Sequence, residues 1–107
     1  MGYNLIITTA FERDAKPLLK KHKSLKADLA GLFQSLENEA KQGKPLGKDC
    51  YKISLAITSK GKGKSDGARV FTCVKITPDK VFLLSIYDKS EKEDISDKEL
   101  IQLLKFI

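Results

Sequence analysis

The sequence predicts an α+β domain with the element order β-α-α-β-β-β-α, in which two N-terminal helices and a C-terminal helix pack on a curved antiparallel sheet. Two amphipathic segments of helical period occur in the first half and another at the end of the chain, whereas three consecutive strand-like segments lie between them. The short connections between these strands favour an antiparallel meander. A length of 107 residues suits one modest core, so we expect a single domain over residues 1–107.

The first half is expected to hold one strand and two helices. Residues 3–9 are rich in β-branched and aromatic side chains, which is typical of a strand. Thr9 has the position of an N-cap for the first helix, and Pro17 should kink or end that helix because its ring clashes with the preceding turn. The second helix is expected within residues 24–43, with Ser24 as its N-cap.

Three strands are expected in the second half, at residues 50–57, 68–76 and 80–88. In the first of them Lys52 and Ser54 share one face, because successive side chains of a strand alternate. The last segment, residues 96–107, carries Ser96 and Glu99 at capping-box spacing before an apolar stripe. This pattern predicts the C-terminal helix.

The net charge of +6 is unevenly distributed along the chain. Residues 60–69 carry a local charge of +3 and residues 12–26 a local charge of +4, whereas residues 88–99 hold six acidic groups against three lysines. This asymmetry favours a polyanionic partner on one face, and nucleic acid is the leading candidate. A merely solvated surface is the alternative.

The composition argues against several classes of protein. A hydrophobic content of 41% with 32% charged residues is typical of a soluble globular domain, and the longest apolar runs are too short to span a bilayer. The N-terminus has no features of a secretory signal. Cys50 and Cys73 lack metal-ligand spacing and are expected to be core thiols in a reducing compartment. We therefore expect a cytoplasmic protein that does not contact membranes.

The segment 57–71, ITSKGKGKSDGARVF, is the most unusual part of the sequence. It does not match a Walker loop, because Thr58 stands where that motif needs its first glycine and because a strand follows it. A dinucleotide fingerprint fails as well, since Asp66 occupies the place of the third glycine. His22 is the only histidine, and its lysine-rich surroundings predict a solvated side chain. We expect neither a metal nor another cofactor.

The remaining chemistry is basic. Three lysines of this segment alternate with small residues, so in an extended conformation they would project to one side and admit a phosphate backbone. Neighbouring ammonium groups lower one another's pKa, so one lysine would act as a general base while the others stabilise charge on a phosphorane. Such a set would cleave RNA through its 2′-hydroxyl without a metal. A mobile hairpin tip is the alternative. The candidate catalytic residues are Lys60, Lys62, Lys64, Arg69, Tyr87 and Lys89.

Two long motifs, CYKISLAITSKGKGKSDGARVF and LLSIYDKSEKEDISDKEL, resemble the RelE/ParE superfamily of toxin-antitoxin toxins, and in particular its RelE/HigB-like branch. The resemblance covers nearly the whole chain. It implies the toxin of a type II toxin-antitoxin system, a metal-independent endoribonuclease that cuts mRNA in the ribosomal A site. The implied partners are a cognate antitoxin, the ribosome with its mRNA, and operator DNA only through the antitoxin complex.

The resemblance also assigns roles by position. Lys60, Lys62 and Lys64 match the branch's basic loop, Arg69 matches the strand arginine that contacts the scissile phosphate, and Tyr87, Lys89 and Glu91 match a Tyr-x-Lys-x-Glu segment. Lys52 matches a strand lysine of the active groove, and we add Lys20 and Lys21 of the basic helix. The candidate RNA-binding residues are therefore Lys52, Glu91, Lys20 and Lys21.

Some positions depart from the branch's pattern. Ser54 stands where relatives carry arginine or lysine, Asp66 replaces a glycine of the loop, and Pro17 interrupts the usual long first helix. Two alternative functions stay open beside the ribonuclease, and Ser54 supports the second of them. One is a DNA gyrase poison of the ParE type, and the other is a catalytically weakened relative that binds the ribosome or RNA without cutting.

Overall fold

The computed structural model describes residues 2–61, 66–75, 79–92, 94–105 and 107. Five strands and three helices are present in this part of the chain, together with a short 3-10 turn over Thr58–Lys60. The predicted α+β class is confirmed. In chain order the elements are β1 (Asn4–Ile7), α1 (Thr9–Lys21), α2 (Leu25–Asn38), β2 (Lys44–Gly47), β3 (Cys50–Leu55), β4 (Ala68–Lys75), β5 (Lys80–Asp88) and α3 (Asp97–Leu104).

The strands form one sheet with the order β1-β5-β4-β3-β2. Strands β3, β4 and β5 are the predicted antiparallel meander. The sheet as a whole is mixed, because β1 pairs with β5 in parallel. Strand β2 was not predicted, since Pro45 and Gly47 mask its pattern. It joins β3 through a tight turn in which Lys48 and Asp49 both have positive φ, 55° and 63°, as a type I′ hairpin turn requires.

The two faces of the sheet carry separate cores. Helices α1 and α2 cover one face, where leucines of both helices meet the branched side chains of β3, β4 and β5. Helix α3 covers part of the other face through Leu100, against Cys50, Phe71, Cys73 and Leu84. These are the helix-pair face and the α3 face of the sheet. Cys50 and Cys73 are opposite each other in register, and both are buried free thiols as predicted.

The helix ends agree with local sequence signals in part. Ser96 and Glu99 form the predicted capping box of α3. The N-cap of α1 is Thr8, not Thr9, because the Thr8 hydroxyl accepts from the Phe11 amide. Pro17 does not end α1, which continues to Lys21. Buried Ala15 and Leu18 on either side of Pro17 hold the helix against the core, and this packing offsets the lost backbone hydrogen bond.

Helix α2 begins after Ser24 as predicted, but the Ser24 side chain makes no capping hydrogen bond. Its hydroxyl instead donates to Asp28 and accepts from a neighbouring segment. The helix ends at Asn38, before the predicted stop at Gly43. No helix among the described residues is both long enough and apolar enough to cross a membrane.

Candidate nucleic-acid interface

Strand register places Arg69 between Ser54 and Tyr87. Arg69 of β4 is the direct partner of Ser54 on β3 and of Tyr87 on β5, so the three side chains lie on one face of the sheet. The Tyr87 ring packs against Phe71, with 5.5 Å between the ring centroids, and both rings belong to the α3 face. This row of residues is the centre of the candidate interface.

Arg69 is held firmly in the sheet. Its side chain is largely buried, with 9% of the residue exposed, and its guanidinium donates to the carbonyl oxygen of Ala68 over 3.2 Å. The approach to Arg69 is set by Gly67, since a Cβ at that position would lie 2.0 Å from the carbonyl oxygen of Leu55. Only glycine allows the chain to pass so close to the end of β3.

Tyr87 is covered by a charged pair from α3 and the segment before it. The Lys92 ammonium lies 4.4 Å from the centroid of the Tyr87 ring and pairs with Glu99 of α3. The hydrogen bond to the Glu99 carboxylate raises the pKa of Lys92, and the Tyr87 hydroxyl adds to this effect, although burial opposes it. Lys92 therefore stays charged over the ring, in the geometry of a cation–π contact.

Lys52 lies on the same face as Ser54 and Arg69, because its register partner is Phe71. Its ammonium, however, pairs with Asp94 over 3.2 Å. The amide of Ile95 and then the Lys52 ammonium hold the pKa of Asp94 below its ordinary value, although burial opposes this. A phosphate at Lys52 would have to replace a carboxylate that already binds there.

The Lys60 ammonium is bound by oxygens of Asp88 and Asp66. It donates to Asp88 Oδ1 over 2.9 Å and to the carbonyl oxygen of Asp66 over 3.0 Å. The Asp88 side chain is fully buried beside residues of the α1–α2 connection, on the helix-pair face. The Lys60 ammonium thus contacts a carboxylate of the helix-pair face, whereas the side chains of Arg69 and Tyr87 lie on the α3 face.

Asp88 accepts hydrogen bonds from three different stretches of chain. His22 Nε2 lies 2.8 Å from Oδ2, while Oδ1 accepts from Lys60 and from the amide and hydroxyl of Ser90, at 3.0 and 2.8 Å. Burial disfavours the charged carboxylate, but these donors outweigh it and hold the pKa of Asp88 well below its usual range. A carboxylate that is ionised can only accept, so Nε2 of His22 carries a proton.

The expectation of a solvated His22 is therefore wrong. The residue is 7% exposed, because the connection between α1 and α2 turns inward at this point and delivers the ring to Asp88. Sequence reasoning missed both partners, and no local pattern marks either of them. A single acidic residue at the end of a strand usually points to solvent.

The Thr58–Lys60 turn, which Lys60 links to Asp88, is also held by helix α2. Asp28 of α2 accepts from the hydroxyl and the amide of Thr58, over 2.6 and 2.9 Å, and the Ser24 hydroxyl accepts from the amide of Ser59 over 2.8 Å. The Thr58–Lys60 turn is thus held by α2 from one side and by Asp88 from the other.

Three other predicted residues, Lys89, Glu91 and Lys21, lie around the end of β5. Lys89 lines a cleft of about 400 Å³ with Lys60, Asp66 and Ser90, and its amide donates to the carbonyl oxygen of Gly67 over 3.0 Å. Lys21 pairs with Glu91 over 3.5 Å and lies 4.0 Å from Asp88 Oδ2. Lys20 is exposed on α1. The predicted loop lysines Lys62 and Lys64 lie outside the described residues.

The fold and this interface define a basic α+β domain with an arginine and a tyrosine side by side on the sheet face that its C-terminal helix partly covers. Two solved structures of the E. coli toxin RelE are similar to it over the full chain. A doubly substituted variant in the free state is 23% identical, with 100% of this chain and 99% of that chain covered and a TM-score of 0.64. The isolated toxin is 22% identical, with 98% and 99% covered and a TM-score of 0.52.

At these identities the likeness establishes the fold, so the chain has the fold of the RelE toxin. No protein-family model matches the chain, and no curated protein matches it.

Proposed function

We propose that this protein is the toxin of a type II toxin-antitoxin system and that it cuts mRNA on the ribosome. The observation that carries the proposal is the placement of Arg69 beside Tyr87, on the α3 face of a RelE fold. The net charge of +6 supplies attraction to a polyanion. The proposed partners are a cognate antitoxin, the ribosome with its mRNA, and operator DNA through the antitoxin complex. The proposed location is the cytoplasm.

The proposed reaction is transfer of the scissile phosphate to the neighbouring 2′-hydroxyl. A base takes the 2′-hydroxyl proton, the 2′-oxygen attacks phosphorus, and the 5′-oxygen leaves with a proton from an acid, which yields a cyclic phosphate and a 5′-hydroxyl. Arg69 holds the phosphate through its planar guanidinium, and Lys52 stabilises charge once its pairing with Asp94 is exchanged for the phosphate.

The Tyr87 hydroxyl is the proposed proton donor, because it is the acidic group next to Arg69 in register. The base is assigned to the loop lysines Lys62 and Lys64, which remain proposals from the sequence. Lys89 lies in a cleft at the end of β5 and is proposed as a further phosphate contact, together with exposed Lys20 and with Lys21.

The test is expression of the wild-type protein and of Arg69→Ala, followed by primer extension on a translated message. We expect growth arrest and new mRNA ends with the wild type, and loss of both with Arg69→Ala. Lys41→Ala removes the same charge from an exposed site near the far ends of β3 and β4, so it should behave as the wild type. Unchanged mRNA ends and unimpaired translation with the wild type would refute the proposal.

One observation favours a second candidate, a catalytically weakened relative that binds ribosomes. Ser54 is the register partner of Arg69 and brings no charge to the interface, and Lys52 is occupied by Asp94. For such a protein, ribosome binding would fall steeply with salt while primer extension showed no cuts. A gyrase poison of the ParE type would instead accumulate cleaved DNA without arrest of translation.

A further inference from the structure

The Lys60 ammonium joins the basic segment 60–69 to the end of β5. Lys60 and Asp66 are six positions apart in the basic segment 60–69, and the Lys60 ammonium donates to the Asp66 carbonyl oxygen over 3.0 Å. The same ammonium donates to the Asp88 carboxylate over 2.9 Å. The Lys60 side chain thus links the end of the Thr58–Lys60 turn to the residues before β4, through Asp66, and to the end of β5, through Asp88.

Asp88 is suited to hold Lys60, because other contacts fix its carboxylate independently of Lys60. His22 Nε2 at 2.8 Å and the amide and hydroxyl of Ser90 at 3.0 and 2.8 Å already orient its carboxylate. The carboxylate has no exposed surface, whereas the Lys60 side chain keeps 22% of its own. A buried carboxylate needs a charged partner far more than a partly exposed ammonium does.

The anchored point lies beside the proposed interface. Asp88 directly follows Tyr87, and its register partner Ala68 directly precedes Arg69. The amide of Lys89 closes the same corner by donating to the carbonyl oxygen of Gly67 over 3.0 Å. The position of Arg69 relative to Tyr87 therefore depends on how this corner of β4 and β5 is held.

We propose that Asp88 is a positioning residue, and that Lys60 is its structural counter-ion rather than a catalytic group. Asp88 and Lys60 together fix the corner where β4 begins and β5 ends, and thereby set the spacing of Arg69 and Tyr87. This inference rests on the proposed function only for its effect on cleavage. The anchoring itself is a property of the folded chain and can be tested without RNA.

The contacts of Lys60 argue against its predicted catalytic role. A lysine that acts as a general base must give up a proton and present a free amine to the 2′-hydroxyl. Loss of that proton would remove the ammonium that lies 2.9 Å from the buried Asp88 carboxylate and leave only the more distant Lys21 ammonium, at 4.0 Å. The Lys60 ammonium also meets Asp88 on the helix-pair face, whereas Arg69 and Tyr87 lie on the α3 face.

The test compares Lys60→Ala, Lys60→Arg and Asp88→Asn by hydrogen exchange. The reporter is the amide of Lys89, which donates to Gly67, and the internal reference is the amide of Tyr3, which donates to Glu37. We expect exchange at Lys89 to accelerate by about tenfold or more in Lys60→Ala and Asp88→Asn, and by less than about threefold in Lys60→Arg. Unchanged Lys89 exchange in Lys60→Ala would overturn the proposal.

Cleavage of ribosome-bound mRNA separates positioning from catalysis. We expect Lys60→Ala to lower kcat with little change in KM, and Lys60→Arg to restore most of the rate, because arginine keeps the ion pair but cannot act as a base. An inactive Lys60→Arg with normal Lys89 exchange would assign Lys60 to catalysis and overturn the proposal. If Asp88→Asn does not fold, the two Lys60 variants decide, since His22 still binds the carboxylate.

A wild-type protein that cuts nothing would refute the proposed function alone. The exchange measurements would then still decide whether Asp88 anchors this corner of the sheet. Lys41→Ala serves as the charge control for both measurements, because this exposed lysine lies at the other end of β3 and β4. It should leave Lys89 exchange and cleavage at wild-type values, and a loss of Lys89 protection in this variant would overturn the assignment of the effect to Lys60.

Discussion

His22 and Asp88 are 66 positions apart in the chain, yet His22 Nε2 lies 2.8 Å from Asp88 Oδ2 in the interior. This contact joins the connection between α1 and α2 to the end of β5. Because the carboxylate also accepts hydrogen bonds from Lys60 and from Ser90, just after β5, one buried charge joins three parts of the molecule. The consequences can be measured as stability, as acid sensitivity and, under the proposed function, as activity.

Replacement of His22 by alanine should destabilise the fold. The variant leaves the buried Asp88 carboxylate with one fewer donor, and a loss of this kind costs about 1–3 kcal/mol. Urea denaturation at neutral pH measures the free energy of unfolding. Lys20→Ala is the matched control, since this exposed neighbour should change stability by less than about 0.5 kcal/mol. Equal stability of His22→Ala and the wild type would contradict the role given to this contact.

The stability of the protein should fall in acid, in part because of Asp88. Its pKa is lower in the folded chain than the ordinary value of 3.8, so the folded state binds the proton less readily than the unfolded state. The stabilisation is therefore present above the ordinary pKa and is lost as the pH falls through the folded pKa. Below about pH 4 one such group changes the free energy of unfolding by up to about 1.4 kcal/mol per pH unit.

Asp88→Asn isolates this contribution, because Asp28, Asp94 and Glu99 also have lowered pKa values and remain in the variant. Urea unfolding is measured over about four pH units, from about pH 6 down to about pH 2. Over this range the free energy of unfolding should decrease less in Asp88→Asn than in the wild type. Parallel curves for the two proteins would show that Asp88 titrates normally.

Two glycines give opposite predictions for the same substitution. In Gly67→Ala the new Cβ would lie 2.0 Å from the carbonyl oxygen of Leu55 and 3.0 Å from the amide nitrogen of Ile57, so the backbone must shift, at a cost of about 1–3 kcal/mol. Gly31 lies on the exposed side of α2 with nothing within 4 Å of its added Cβ. Gly31→Ala should therefore stabilise the protein by about 0.5–1 kcal/mol. Thermal unfolding compares the two, and a stable Gly67→Ala would contradict the close approach.

The elements that the sequence predicted are those with a local signal. Alternation in β3, β4 and β5 and the capping box of Ser96 and Glu99 involve residues within a few positions of one another. Strand β2 was missed because Pro45 and Gly47 are typical of turns, and it forms only because β3 offers it an edge. The parallel pairing of β1 with β5 depends on how two helices return the chain, which no short pattern encodes.

The residues of the candidate site likewise divide into those with a local sequence signal and those whose placement depends on distant parts of the chain. Arg69 and Tyr87 were predicted together, because each lies in a strand of clear period and antiparallel register then brings them side by side. Lys60 was predicted beside them because charge and spacing were visible, but its partner was not. The burial of His22 and Asp88 follows from tertiary packing alone. A cluster of lysines in a sequence therefore indicates charge, whereas the direction of each ammonium depends on distant carboxylates such as Asp88 and Asp94.

The Tyr87 hydroxyl should matter for cleavage and not for folding. In Tyr87→Phe the ring keeps its contact with Phe71 and its place under the Lys92 ammonium, so the free energy of unfolding should change by less than about 0.5 kcal/mol. Loss of the proposed proton donor should slow cleavage of ribosome-bound mRNA by about 10²-fold or more. Single-turnover assays at saturating ribosome measure this rate. Tyr87→Ala would confuse the two effects, because it also removes the ring from the α3 face. If Tyr87→Phe cuts at the wild-type rate, the proton comes from another group, and Tyr87 serves only to pack the sheet beside Arg69.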